Sequence, residues 1–250
     1  MVSLFWELHS GLPREGPGCD EATGEALESI TGLPAAPRIL DVGCGPGMQT
    51  LLLARETRGS VTAVDTHQPF LDELSRRAKR AGLADRIQTV NAPMQLLDFP
   101  DGTFDLVWSE GAIYIMGFAE GLRAWKRLLK PNGAIAVTEL SWMGSSIPDE
   151  AKRFWEERYP AMTDVDGNLR ILASAGYSLI SHFILPEHAW WDQYYEPLEK
   201  RIRKMKTEYK DRGEAIELLD DEQKAIDLYR RFSASFGYVF YIARRLGGRP

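Results

Sequence analysis

The chain has 250 residues, 44% of them hydrophobic and 26% charged, with a formal net charge of −6. That length holds one α/β domain with additions, and the acidic balance argues against non-specific nucleic-acid binding. Two cysteines, Cys19 and Cys44, make neither a disulfide framework nor a metal site and suit a reducing cytoplasm; no apolar run nears the roughly 20 residues of a membrane span, and the N-terminus has no basic leader pattern.

Residues 1–36 precede the first sheet strand. Ser10 to Gly18 is dense in Gly and Pro and reads as a loop. Asp20 is the predicted N-cap of a helix from Glu21 to about Ile30, ended near Leu33-Pro34. Phe5, Trp6 and His9 make the segment too aromatic for a disordered tail and predict a lid over a ligand. Arg38 to Val42 then reads as a buried strand. Gly43, Gly45 and Gly47 follow at alternate positions, and Leu51 to Ala54 supply a helical apolar face. A glycine turn that opens a helix lets a ligand approach the main chain and aims free N–H groups at it. This predicts a small-molecule site at the carboxyl end of a parallel strand.

Ser60 to Asp65 is the next strand. Pro69 sits at a first helical position, Leu71, Leu74 and Ala78 share one face, and Gly82 ends that helix. Strand Ile87 to Val90 follows, then a turn at Phe99 to Thr103 and strand Phe104 to Trp108. Phe118, Leu122, Trp125 and Leu129 form a helical stripe. Lys130-Pro131-Asn132-Gly133 stops it before strand Ala134 to Thr138, with Glu139 at its end. Strands alternating with helices predict a doubly wound parallel sheet. Further on, Asp149 is read as capping a helix through Trp155. A second helix runs near Asn168 to Ala175, and Tyr177 to Ile184 reads as a strand. Between about 188 and 236 lie two helical stripes, Leu198, Ile202, Met205, Tyr209 and Ala225, Tyr229, Phe232, Phe236. Two amphipathic helices there would cap the carboxyl edge of the sheet or offer a homodimer surface.

The glycine spacing separates two ligand classes. In a dinucleotide fingerprint the third glycine would fall at Met48. Here the spacing is G-x-G-x-G, preceded by Asp41 and followed 18 residues after Gly47 by Asp65. This resembles motif I and the acidic motif of the class I S-adenosylmethionine-dependent methyltransferases. Phe99 to Val107 is similar to that family's fourth-strand motif, and Leu128 to Ala134 to its helix-to-fifth-strand motif. The resemblance covers residues 38–140 and implies a Rossmann-like, mostly parallel seven-stranded sheet with an antiparallel last strand, which Gly237 to Arg244 fits. It implies one methyltransferase domain over 1–250: a lid over 1–36, a cofactor-binding half over 37–140 and a substrate half over 141–250. It further implies S-adenosylmethionine as cofactor and S-adenosylhomocysteine as product. Asp41, Gly43, Gly45, Gly47, Gln49, Asp65, Thr66, Met94, Gln95 and Ser109 would hold them, with Asp65 on the ribose hydroxyls. One departure stands out. Where relatives often carry Gly-Asp-Ala, this chain has Ala92-Pro93-Met94. Pro93 offers neither carboxylate nor N–H, so the adenine falls to the Met94 backbone, Gln95 or apolar contact.

Methyl transfer from a sulfonium is an in-line displacement driven by positioning, and a base is needed only where the acceptor must lose a proton. Glu110, Tyr114 and His9 are the candidates. Glu110 reads first as a carboxylate that orients the cofactor's amino group or caps the next helix, and Glu139 as a further base or a structural hydrogen-bonding group. The four histidines are scattered, which predicts no metal. Trp190, Trp191, Tyr194 and Tyr195, with Trp6, Tyr114 and Trp142, would wall a small, partly hydrophobic acceptor or form the seam under the insertion. The run Lys200, Arg201, Arg203, Lys204, Lys206 reads as a solvated helix face. The expectation is a cytoplasmic enzyme that methylates a small molecule. The alternatives are a non-catalytic S-adenosylmethionine-binding protein and a nicotinamide-dependent oxidoreductase. Met48 and the lack of a Tyr-x-x-x-Lys pair after the fourth strand count against the latter. The fold does not choose among oxygen, nitrogen, carbon and sulfur acceptors.

Overall fold

Short apolar runs make the centre of the sheet. β1 (Arg38–Val42), β2 (Ser60–Asp65), β3 (Ile87–Asn91) and β4 (Phe104–Ser109) pair in parallel, with Ile39 opposite Val61 on one side and Leu106 on the other. β5 (Leu129–Trp142) continues the parallel set, and β8 (Phe236–Arg245) runs antiparallel between it and β7 (Tyr177–Ile184). The order is β3-β2-β1-β4-β5-β8-β7, with the two-residue β6 (Thr163–Asp164) pairing only with the end of β5. This is the expected Rossmann-like sheet of seven main strands with its antiparallel last strand. The computed structural model describes residues 2–247; residues 1 and 248–250, the ends of the expected 1–250 domain, lie outside the described residues.

Side chains alternate between the two faces. Leu40, Val42, Val107, Ile135 and Val137 face one way, against Leu122 and Trp125 of α5 (Phe118–Lys126) and Leu172 of α7 (Val165–Ser174). Ile39, Leu106, Trp108, Ala134 and Ala136 face the other, against α2 (Asp20–Glu28) and α3 (Met48–Glu56). α4 (Gln68–Arg80) packs Leu71 and Leu74 beside Ala63 and Cys44. Each fully buried Leu or Ile contributes roughly 1.5–3 kcal/mol. A further apolar cluster joins α1 (Val2–His9), α6 (Asp149–Arg158), α9 (Glu196–Glu208) and α10 (Gly213–Phe232) over the carboxyl edge. The insertion begins with a single turn, α8 (His188–Trp190), and a π-helical turn over Trp191–Tyr195.

Several element ends differ from the sequence reading. The lid begins with a helix, α1, which no apolar period announced. α2 is capped by Cys19, whose extended backbone places Sγ to accept from the Ala22 N–H at 3.4 Å; the Asp20 carboxylate, read as the cap, instead accepts from Arg14. Leu129, read as helical, opens β5, and the strand runs on past Glu139 because β8 pairs with it through Trp142. Asp149 lies inside the first turn of α6 after Pro148, not at its cap. α7 starts at Val165, earlier than Asn168, because Asp164 caps it by accepting from the Gly167 N–H. Phe236, placed on a helical stripe, is the first residue of β8.

Candidate functional site

The loops after β1, β2, β3 and β4 open on one edge of the sheet. After β1 the chain turns through Gly43 at φ 72° and Gly47 at φ 83°. A Cβ at Gly43 would lie 2.4 Å from the Ala112 Cβ, and one at Gly47 2.2 Å from Leu74 Cδ1. Glycine is therefore required at both for conformation and for space. Gly47 also leaves the first turn of α3 without a side-chain cap, so its N–H groups remain available toward the site. The Gly45 N–H donates to Asp65 Oδ2 and the His67 N–H to Oδ1, each at 2.9 Å. These bonds fix Asp65 at the end of β2 with lone pairs left over.

Asp41 lies beneath this loop, fully buried. Thr50 Oγ1 donates to it at 2.5 Å and Gln49 Nε2 at 3.5 Å, and Gln49 also donates to the Cys44 carbonyl at 3.1 Å. Burial pushes the Asp41 carboxyl up to about 7, against the pull of the Thr50 hydrogen bond.

A cavity of about 700 Å³ spreads from these loops to the insertion. Of the residues expected to hold the cofactor, Gly43, Gly45, Gln49, Asp65, Thr66, Met94 and Gln95 line it. Asp41, Gly47 and Ser109 do not. Asp41 and Gly47 support the loop from behind, and Ser109 is buried with Oγ donating to the Val42 carbonyl at 2.8 Å. The Met94 carbonyl accepts from Trp125 Nε1 at 3.2 Å, which sets the course of the chain after Pro93.

The N-terminal segment, expected as a lid, lines one end of this cavity through Phe5, Trp6, His9 and Glu15. Trp6 stacks on His67 with ring centroids 3.7 Å apart and planes 9° apart. His9 Nδ1 and Glu15 Oε2 are 3.0 Å apart, and both residues line the cavity. Their other polar atoms, His9 Nε2 and Glu15 Oε1, are buried without a partner among the described residues. Burial raises the Glu15 carboxyl above its ordinary value, opposed by His9. Arg201 of α9 donates to the carbonyls of Glu7, Leu8 and Ser10, tying the end of α1 to the insertion. Lys200, Arg203, Lys204 and Lys206 pair with acids of α9 and α10, as a solvated face would.

Glu110 is fully engaged. Oε1 accepts from Thr23 Oγ1 at 2.7 Å and Trp108 Nε1 at 2.9 Å, and Oε2 accepts from Arg14 at 3.1 Å. Arg14, itself buried, also donates to Gln193 and Asp20. Tyr114 lines the far half of the cavity, edge-on to Tyr159 at 6.0 Å. Trp155, Trp190, Tyr194, Tyr195, Tyr238 and Glu222 complete that half. Glu139 sits behind it, opposite Val239 in the sheet and almost fully buried, with Oε2 lacking a partner among the described residues. Burial pushes its carboxyl up to about 8, with the Tyr159 hydroxyl opposing.

Sequence reasoning missed Arg14, Glu15, Tyr159 and Glu222. Glu222 left one signal: it falls three residues before Ala225 and seven before Tyr229, an acid on an apolar helical stripe. The sequence also hid that ligand-type atoms of Cys19, Glu21 and His188 come within 4.8 Å of one another, although Cys19 is occupied as a helix cap. No helix among the described residues is long and apolar enough to cross a membrane.

Comparison with known proteins agrees with this geometry. Residues 39–133 match a family described as a methyltransferase domain. The 27-O-demethylrifamycin SV methyltransferase of Amycolatopsis mediterranei is 27% identical, over 98% of this chain and 93% of that protein. A sterol 24-C-methyltransferase of Gibberella zeae is 27% identical over 60% of this chain, but the match spans only 42% of that enzyme's length. Among solved structures, a methyltransferase from Geobacter sulfurreducens in complex with S-adenosylhomocysteine superimposes with a TM-score of 0.81 at 20% identity, covering 97% of this chain and 98% of that one. The glycine loop thus belongs with sulfonium-cofactor enzymes, and the oxidoreductase alternative is set aside.

Proposed function

Because the chain belongs to the class I S-adenosylmethionine-dependent methyltransferases, we propose that the cavity of about 700 Å³ is divided between the cofactor, under the lid, and a small-molecule acceptor, against the insertion. When bound, S-adenosylmethionine supplies a methyl group already activated on a sulfonium. The chain's own residues hold and orient. In this reading Gly43 and Gly45 allow close main-chain approach, Asp65 accepts from ribose hydroxyls, and Met94 and Gln95 flank the adenine. Trp6 closes over that end.

The observation that carries the division is the His9–Glu15 pair. Glu15 Cγ would sit 3.6 Å from a Cβ at Gly45, so the methylenes of this side chain pack directly on the cofactor loop. Through Nδ1 its carboxylate orients an imidazole whose Nε2 is unclaimed. We assign His9 as the base that takes a proton from the acceptor and Glu15 as its positioning residue. Glu110, held by three donors, has the role of a structural anchor. Tyr114 shapes the acceptor wall. The two buried free thiols support a cytoplasmic setting.

The test is transfer of radiolabel from S-adenosylmethionine into a panel of amines and alcohols, with S-adenosylhomocysteine affinity measured alongside. His9→Gln is expected to lower kcat by about 10²-fold or more while leaving that affinity within a few-fold of the parent. An unchanged kcat overturns the role of His9, and an absence of S-adenosylhomocysteine binding overturns the cofactor site.

A further inference from the structure

The far half of the cavity has an imbalance of charge. Glu222 projects from α10 into a compartment walled by Tyr114, Trp155, Tyr159 and Tyr194, and it has no hydrogen-bond or ion-pair partner among the described residues. The cations around the cavity are already claimed. Arg158 pairs with Asp221 and lies 3.8 Å over the Phe154 ring, Arg14 is held by Glu110 and Asp20, and His9 by Glu15. Burial raises the Glu222 carboxyl above its ordinary value, and the nearby Asp221 charge adds to this while His9 and Arg158 oppose it.

We infer that the acceptor is an amine that enters as its ammonium ion, with Glu222 as its counter-ion and the aromatic faces as its walls. This rests on the methyltransferase reading of the same cavity and names its substrate class. The physical reasoning is by elimination. An anionic acceptor would meet an uncompensated carboxylate and no unclaimed cation. A neutral acceptor could donate a hydrogen bond to Glu222 but would leave its charge uncompensated in a desolvated pocket. An ammonium ion satisfies the carboxylate, and aromatic faces attract a desolvated cation. For transfer, the ammonium first gives one proton to His9 Nε2. The freed lone pair then forms the nitrogen–carbon bond as the carbon–sulfur bond breaks. That bonding pair stays on sulfur, which becomes a neutral thioether, and the product leaves as the methylated ammonium.

The test compares choline with 3,3-dimethylbutan-1-ol, which has the same shape and no charge, by calorimetry at pH 8 on enzyme saturated with S-adenosylhomocysteine. Choline is expected to bind at least tenfold more tightly than the alcohol. Glu222→Gln, which keeps shape and removes charge, is expected to erase that difference, and Tyr114→Leu, at a partly exposed wall position, to reduce it several-fold. Equal affinity for the two probes, or a preference that survives Glu222→Gln, overturns the inference. The S-adenosylhomocysteine titration is read separately. If the cofactor product does not bind, the methyltransferase reading fails, and the two probes are then compared on the free protein by the same criteria.

Discussion

Arg14 and Glu110 meet at 3.1 Å across 96 residues of sequence, both almost fully shielded from solvent. The pair joins the N-terminal segment to the loop after β4. A buried charge deprived of its partner costs about 3–5 kcal/mol. Glu110→Ala is therefore expected to destabilise the fold by about 3 kcal/mol in urea denaturation, and the Arg14→Met, Glu110→Leu double variant to recover most of that. If Glu110 were instead the base, Glu110→Gln would lower kcat by about 10²-fold or more; its engagement by Thr23, Trp108 and Arg14 predicts a change of no more than a few-fold.

Gly47 touches Leu74 where a side chain would be, at a backbone angle that L residues rarely adopt. Gly47→Ala is expected to cost about 2–4 kcal/mol, part strain and part overlap. In a Leu74→Ala background the overlap disappears and the cost of Gly47→Ala should fall to about 1 kcal/mol. Additive costs in that double-mutant cycle would refute the steric account.

Asp65 holds two main-chain N–H groups besides its proposed ligand. Asp65→Ala is expected to lower S-adenosylhomocysteine affinity at least tenfold and stability by no more than about 2 kcal/mol. Asp65→Asn, which keeps one carbonyl acceptor, should fall between. Calorimetric affinity unchanged from the parent would end the ribose role.

Glu139 titrates high because it is buried. Its carboxyl sits at about 8 in the fold against an ordinary 4.5. The folded chain thus binds more protons than the unfolded chain between those values, so this group lowers stability as pH rises from about 4.5 to about 8. Glu139→Gln should flatten that decline and leave the variant more stable than the parent at pH 8 by at least about 1 kcal/mol. A parent whose stability rises across this window by an amount that Glu139→Gln leaves unchanged would contradict the assignment.

The sheet was legible in the sequence because its strands are short apolar runs punctuated by glycine and proline, and because Asp41, Gly43, Gly45, Gly47 and Asp65 stand at fixed spacings on consecutive elements. Those signals are local. What was not legible depends on groups brought together from distant segments. α1 carries apolar residues nearly all round, so its period is blurred, and its helical state is supported by Arg201. Cys19 rather than Asp20 caps α2, and the Asp20 carboxylate, one residue further on, accepts from Arg14, a contact between segments that no local pattern announces. Glu15 and Glu222 acquire meaning from the cavity they share, which joins residues more than 200 positions apart.

The placement of β8 between β5 and β7 has a consequence for biosynthesis. A ribosome delivers β5 and β7 well before β8, with the whole helical insertion between the last two. Until β8 arrives, the flanks of both strands that it will cover present unpaired N–H and C=O groups, the surfaces on which chains join one another. The nascent protein therefore passes through an interval in which the flanks of β5 and β7 that β8 will cover are both open to pairing with other chains.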